Sequence, residues 1–386
     1  MFSRIRGWLD ERLDVEGALA LLDRNLRKRL PSHVNWLFTI GAVLTALLIL
    51  QALTGVLLMV YYKPSAAAAH ASVESIAYDI TAGWFVRGLH NWGSHLIVLL
   101  ACLHMLRVFL YGGYKKPREL NWVVGVLLLA VIVGFGFTGY LLPWDQVSYW
   151  GTVVATEALA SIPVLGPFIS EFMMGAAEVS DATLGRFYVL HVILLPAALA
   201  VLMGLHLFLI RYQGISPLSR TDEPEPGPEQ LAAAGGKPFF PNHTLVDLAA
   251  CYIVVGLLVT LALLAPPGLG EPADPLTTPP GIKPEWYLLP AYQLLKYVPE
   301  AVGVQAPPLF LLALILLPFL LDRSPERHPA RRPRVLAAAG LVLVIILALG
   351  LLGHFADTRR TIMGKTYQFD ILGRPAQVAP ADEVSG

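Results

Sequence analysis

Seven long apolar runs leave this chain one kind of architecture. Residues 36–61, 84–110, 122–142, 187–210, 245–264, 308–321 and 335–353 approach or exceed the ~20 residues that a helix needs to cross a bilayer, the sixth being the shortest. Within hydrocarbon no water can satisfy backbone N–H and C=O groups, so each run must close its hydrogen bonds as a helix. The reading is an all-α integral membrane protein of about seven transmembrane helices. Composition agrees: 55% of residues are hydrophobic and only 15% charged, against roughly 25% charged in a soluble domain. A formal net charge of zero, with no basic stripe among aromatics, excludes a nucleic-acid partner.

The loops set an orientation and a division into parts. Eighteen Lys and Arg residues fall in the N-terminal segment and the second, fourth and sixth loops, against nine in the remaining loops and the C-terminal tail. By the positive-inside rule the N-terminus is cytoplasmic. Residues 1–33 read as a cytoplasmic amphipathic segment and 34–215 as a four-helix domain. Residues 216–240 form a Pro- and Gly-containing flexible linker, 241–356 a three-helix C-terminal domain, and 357–386 a tail. On the outer side, residues 143–183 read as a helical hairpin lying on the membrane surface, and 266–306 as a proline-rich loop with a short amphipathic stretch at 285–297.

Four histidines lie inside the apolar runs, paired as His90/His104 and His191/His206, 14 and 15 residues apart. At ~1.5 Å rise per residue the partners sit roughly 21–22 Å apart along a helix. At about 100° per residue they return to nearly the same face. A lone membrane histidine is more often a packing or proton-relay residue. Two matched pairs on adjacent spans point instead to axial ligation of haem iron. Two such helices set antiparallel would clamp two haems, one near each surface, a layout for moving electrons across a bilayer. His95 falls about 180° from His104 and cannot face the same haems; it reads as a partner for a neighbouring helix.

Glycines repeat the count. Gly41 and Gly55 on the first run, and Gly125 and Gly139 on the third, are each 14 apart. A planar macrocycle between helices needs close backbone approach, which glycine allows, although small residues also serve ordinary helix packing in membranes. Arg87 and Arg107 each lie three residues from a proposed ligand, placed to pair with haem propionates or to snorkel. Cys102 and Cys251 form no CxxC pair, so neither a cysteine-ligated iron–sulfur cluster nor covalent haem attachment is expected.

These residues resemble the cytochrome b family, the core subunit of the cytochrome bc and b–f complexes. The resemblance is carried by Arg87-x-x-His90 with His104-x-x-Arg107, and by Gly139-Tyr140-x-x-Pro143-Trp144. Ser161-Ile162-Pro163 and Pro284-Glu285-Trp286-Tyr287 complete it. It implies two non-covalent b haems, His90 and His191 holding the outer iron and His104 and His206 the inner one. It also implies quinol oxidation at the outer face by Glu285, Tyr140, Tyr287 and Tyr292, and quinone reduction at the inner face by Arg211, Asp247 and Asn35. The implied partners are a Rieske iron–sulfur protein, a c-type cytochrome, membrane lipid and a second copy of the complex; the implied activity is a proton-translocating quinol:cytochrome c oxidoreductase in a bacterial inner membrane. The 15-residue gap between His191 and His206, the run YGGYKKPREL and Pro143-Trp144-Asp145-Gln146 look like the photosynthetic branch. The unbroken chain and Asp247 look like the respiratory one. Thr39 stands where a cysteine would anchor a further haem, so no third haem is expected.

On residue chemistry alone Glu285 is either a proton acceptor in an apolar pocket or the N-terminal cap of 286–297. An alternative for the whole chain is a dihaem membrane anchor of a hydrogenase or formate dehydrogenase. A third is a transporter using histidines to carry protons, which would bind no haem.

Overall fold

The computed structural model describes residues 2–378. Among these residues seven helices are long and apolar enough to cross a membrane: Trp36–Met59, Gly83–Leu110, Glu119–Leu141, Asp181–Gln213, Phe239–Leu264, Glu300–Leu321 and Pro333–Phe355. They are the first to seventh spans below. The sixth extends back to Glu300 and reaches 22 residues, so the apolar run seen in the sequence is only its C-terminal part. Large apolar side chains cover the outer faces: none of the most apolar window of the seventh span is buried. Such faces suit lipid, and packing and polar contacts must then hold the bundle together.

The first span packs along the second, and the third along the fourth, while the fifth leans on the first two. Val43, Leu44, Leu47, Ile97, Val98, Ile132 and Leu258 meet in one buried cluster where the first, second, third and fifth spans converge. The second and fourth spans, which carry the paired histidines, have no extensive packing on each other among the described residues. Each rests on a glycine-bearing neighbour instead, and a gap lies between them.

One end of the bundle carries the expected hairpin. Its helices are Gln146–Ala160 and Gly166–Met174, the first opened by a reciprocal Asp145/Ser148 capping box and the second by Pro167 in its first turn. The loop before the sixth span is bonded to it: Gln146 N–H donates to the Glu271 carbonyl (2.9 Å), and Ala273 N–H to that of Trp144 (3.1 Å). This is the hairpin end.

In the tail, Arg359–Ile362, Lys365–Phe369 and Pro375–Gln377 form an antiparallel three-stranded sheet at the hairpin end of the helical bundle. Two sequence expectations need correction. Residues 285–297 do not form one amphipathic helix; the helical part is Leu289–Leu295. Residues 216–240 are not a free linker. Lys237–Pro238 pairs with Arg29–Leu30, and Glu225 accepts from both Arg118 (2.5 Å) and Arg327 (2.9 Å). We call this opposite end the linker end.

Several of the basic loop residues also hold the chain together. Asp322 bonds Lys115 Nζ at 2.7 Å, Arg332 Nη1 at 3.4 Å and the Tyr114 hydroxyl, with Asp322, Lys115 and Arg332 side chains 1–3% exposed. These contacts tie the loop after the second span to the loop after the sixth, joining the two halves. Burial alone would raise the Asp322 carboxyl, but hydrogen bonds from Lys115, Tyr114 and Ser324 outweigh it and hold it below its ordinary value. A carboxyl depressed on folding stabilises above its unfolded pKa and loses that contribution as pH falls through the folded one. Asp322→Asn leaves two buried cations unpaired and should destabilise the chain by about 3–5 kcal/mol at pH 7. Thermal melts in detergent should show the deficit narrowing below pH ~4; coincident melts at pH 7 contradict the assignment.

Candidate functional site

The paired histidines meet across the gap at two levels. His90 and His191 have ring centroids 6.3 Å apart, and His104 and His206 6.4 Å, with 67° between ring planes in both pairs. Metal–nitrogen bonds of about 2 Å on each side, with each nitrogen ~1.1 Å from its ring centre, put two axial imidazoles roughly 6 Å apart. The spacing fits one iron between each pair.

The unequal sequence spacings are reconciled by local backbone. Leu190–Leu194, which contains His191, is a π-turn within the fourth span. A π-turn takes one extra residue into a single turn. The 15-residue separation from His206 therefore acts as 14, matching the second span.

Each glycine faces one histidine at the expected level. A Cβ at Gly55 would lie 3.3 Å from His90 Cε1 and one at Gly139 only 2.6 Å from His191 Cε1; Gly41 faces His104 at 3.3 Å and Gly125 faces His206 at 3.6 Å. Sequence reasoning missed the residues just before two of them. Thr54 Oγ1 lies 2.9 Å from His90 Nδ1 while donating to the Leu50 carbonyl, and Thr138 Oγ1 lies 3.1 Å from His191 Nδ1 while donating to that of Gly134. With each hydroxyl proton committed to a carbonyl, the imidazole must donate from Nδ1, leaving Nε2 with the free lone pair that a metal ligand needs. The signal was the repeated Thr-Gly dipeptide, which the level nearer the linker end lacks.

The two arginines part company. Arg107 stacks on Phe38 (4.5 Å), approaches His104 Nδ1 at 3.4 Å and keeps a buried Nε without a hydrogen-bond partner among the described residues. A buried cation so placed fits an anionic propionate. Arg87 instead donates to the carbonyls of Pro267 (2.7 Å) and Gly268 (2.6 Å) and anchors the loop, contrary to the propionate expectation. The donor sets, the gap and the orphaned Arg107 nitrogen together fit haem at both levels.

At the hairpin end, Glu285 lies near enough to Tyr140 and Tyr287 for its charge to act on both phenols. Glu285 is not a helix cap, since the helix begins at Leu289; its Oε2 stands 3.9 Å from His95 Nδ1. His95, expected to serve a neighbouring helix, faces this loop segment instead. Tyr140 donates to the Val147 carbonyl (3.1 Å), and the Tyr287 hydroxyl lies against Gly136. Burial, and then the nearby Glu285 charge, hold the Tyr287 phenol above its ordinary value, so it stays a protonated donor. Tyr292 is turned to the loop, donating to the Ile282 carbonyl (3.2 Å) under Lys296.

At the linker end, Arg211 stacks on Phe239 (4.9 Å), whose ring lies 6.2 Å from that of His243, and His243 Nε2 lies 3.5 Å from Asp247 Oδ1. Asp247 Oδ1 has no hydrogen-bond partner among the described residues. Asn35 uses its side-chain oxygen to cap the helical turn at Leu37 (3.0 Å) and its amide to reach the Tyr111 hydroxyl (3.3 Å). Two further imidazoles stand here, His243 and the half-buried His33, which stacks on Tyr111 at 5.7 Å. Burial, and then the Arg107 charge, lower the His33 pKa and keep the ring neutral.

Residues 26–214 match the family described as cytochrome b/b6/petB, and residues 272–369 the one described as cytochrome b (C-terminal)/b6/petD. A cytochrome b of Allochromatium vinosum is 36% identical over 342 residues, covering 84% of this chain and 82% of that protein. The cytochrome b6 of Trichodesmium erythraeum is 46% identical over 209 residues, covering 54% of this chain and 93% of that protein. Among solved structures, a chain described as hyperthermophilic respiratory complex III superposes with a TM-score of 0.80 at 33% identity, covering 91% of this chain and 92% of that one.

The glycine clearances yield a direct test. Gly139→Val drives two methyl groups into the space beside His191 and should abolish ligation at that level alone. Pyridine haemochrome assay of the purified variant should give half the haem of the parent; full retention contradicts the geometry.

Proposed function

The chain belongs to the cytochrome b family, and from that premise we propose that it is the two-haem, quinol-handling subunit of a quinol:cytochrome c oxidoreductase. Membership makes it a multi-pass membrane subunit of a bc-type oxidoreductase complex, with haem b as the family's cofactor. The observation that supports the finer reading is the conjunction of two histidine clamps with a carboxylate beside an imidazole at each end. His90 with His191 would hold one haem and His104 with His206 the other. When bound, the two groups supply one-electron carriers at two depths of the membrane.

Quinol oxidation releases two protons and two electrons. In the hairpin-end pocket Glu285 is the carboxylate placed to take a proton from a quinol hydroxyl, and the Tyr287 phenol is a donor for a quinone oxygen. Tyr140 closes the pocket from the third span, and Tyr292 holds the loop. At the linker end, the Arg211 cation and the Asp247 carboxylate suit a quinone that gains negative charge and then collects protons; His243 adds a protonatable neighbour. Asn35 serves this end by capping the first span.

The hairpin end faces outward in this account and the N-terminus lies in the cytoplasm of a bacterial cell. A Rieske iron–sulfur protein docking on the 143–183 hairpin and the 266–306 segment takes the first electron and passes it to a c-type cytochrome. The second electron crosses to the linker-end quinone, so protons are released outside and taken up inside. The full complex is a homodimer surrounded by lipid. The dihaem-anchor alternative leaves the bonded pair of hairpin-end loops and the Pro284–Tyr287 pocket without a role.

Inhibitor-sensitive quinol:cytochrome c turnover by the complex purified through this subunit tests the reading. Glu285→Gln should slow that turnover by about 100-fold or more with both haem signals intact. Turnover at the parent rate removes Glu285 from the chemistry.

A further inference from the structure

His95 belongs to neither clamp, yet one of its nitrogens stands between two consecutive residues of the hairpin-end loop. Nδ1 accepts the Trp286 indole N–H at 3.1 Å and lies 3.9 Å from Glu285 Oε2. An indole nitrogen only donates, so Nδ1 carries no proton while that bond holds, and the neutral ring has its hydrogen on Nε2. Once protonated, the same nitrogen must abandon the indole and pair with the carboxylate. It therefore has two exclusive partners, selected by one proton.

Little else can compete for that proton. The first span has no Asp, Glu, Lys or Arg; the fifth has only Asp247 and the third only Glu119, both at the linker end. On the second span itself, Arg87 is held by loop carbonyls, His90 and His104 face the gap, and Arg107 lies three turns away. At the hairpin end His70 bonds the Gly270 carbonyl (2.7 Å), while Tyr140 and Tyr287 flank Glu285. Glu285 is the one carboxylate placed within 4 Å of the ring among the described residues.

Resting on the quinol-oxidising reading of this pocket, we propose that His95 is the proton-accepting partner of Glu285. The quinol O–H bond breaks as Glu285 Oε–H forms; that bond breaks in turn as His95 Nδ1–H forms, and the proton leaves the partly exposed ring for water at the hairpin end. Only the proton moves along this route. An imidazole takes and sheds a proton near neutrality, which a relay needs. Loading Nδ1 frees the Trp286 indole and makes an ion pair with the carboxylate, so the loop senses whether a proton is in transit.

The test uses the complex with its partner subunits. In His95→Gln the side-chain carbonyl still accepts the Trp286 N–H but takes no proton; His95→Ala does neither. Both should lower kcat for quinol oxidation by about 100-fold and flatten the acid limb of its pH profile, with quinol KM nearly unchanged and both haem signals present. Redox-difference infrared spectra should show the carboxyl C=O band that vanishes in Glu285→Gln shifted in His95→Gln. Parent-like kcat and pH profile in His95→Gln overturn the proposal, even where His95→Ala is slow, because His95 then only anchors Trp286. His95→Gln decides the matter if His95→Ala loses haem. A parent complex with two haems and no quinol activity instead overturns the functional reading on which this rests.

Discussion

The architecture depends on a gap that two helices keep open. In a membrane, neighbouring helices gain by close packing, and small residues normally bring them together. Here the second and fourth spans stand apart, each supported from behind, while glycines on the first and third spans clear room beside the histidine rings. An open slot lined by imidazoles has no reason to persist in a bundle that packs for its own sake. Two planar groups joining the rings at two depths would make the separation stable, and the second, fourth and flanking spans would then form one unit.

The level nearer the hairpin end is the more tightly determined. Thr54 and Thr138 pass their own hydroxyl protons to carbonyls and take one from His90 and His191, fixing both tautomers. His206 Nδ1 has no partner among the described residues, and His104 Nδ1 has only a long approach from Arg107. Hydrogen bonding to the far nitrogen raises the basicity of a ligating imidazole, so the two levels offer iron unequal surroundings.

Much of this was legible in the sequence because membranes simplify the reading. Backbone satisfaction forces helices, span length sets their number, and a 14-residue spacing of histidines and glycines sets two depths. What escaped notice depended on contacts between distant segments or on departures from regular geometry. The π-turn at Leu190–Leu194 hides in an ordinary apolar run, and only the extra residue between His191 and His206 betrays it. The 216–240 segment looks like a linker by composition, yet Glu225 and the Lys237–Pro238 strand pin it to residues more than 100 positions away. Arg87 and Arg107 sit at mirror-image spacings from their histidines, but only tertiary structure shows one bound to loop carbonyls and the other without a partner at Nε. Helical phase turns His95 away from the clamps, and the loop that returns to meet it lies 191 residues further along.

A density map of the purified, cofactor-loaded complex tests the central claim most directly. The account requires a flat macrocycle between His90 and His191 and a second between His104 and His206, with one nitrogen of each imidazole within bonding distance of iron. A slot filled by lipid or side chains, with the imidazoles turned from one another, contradicts it.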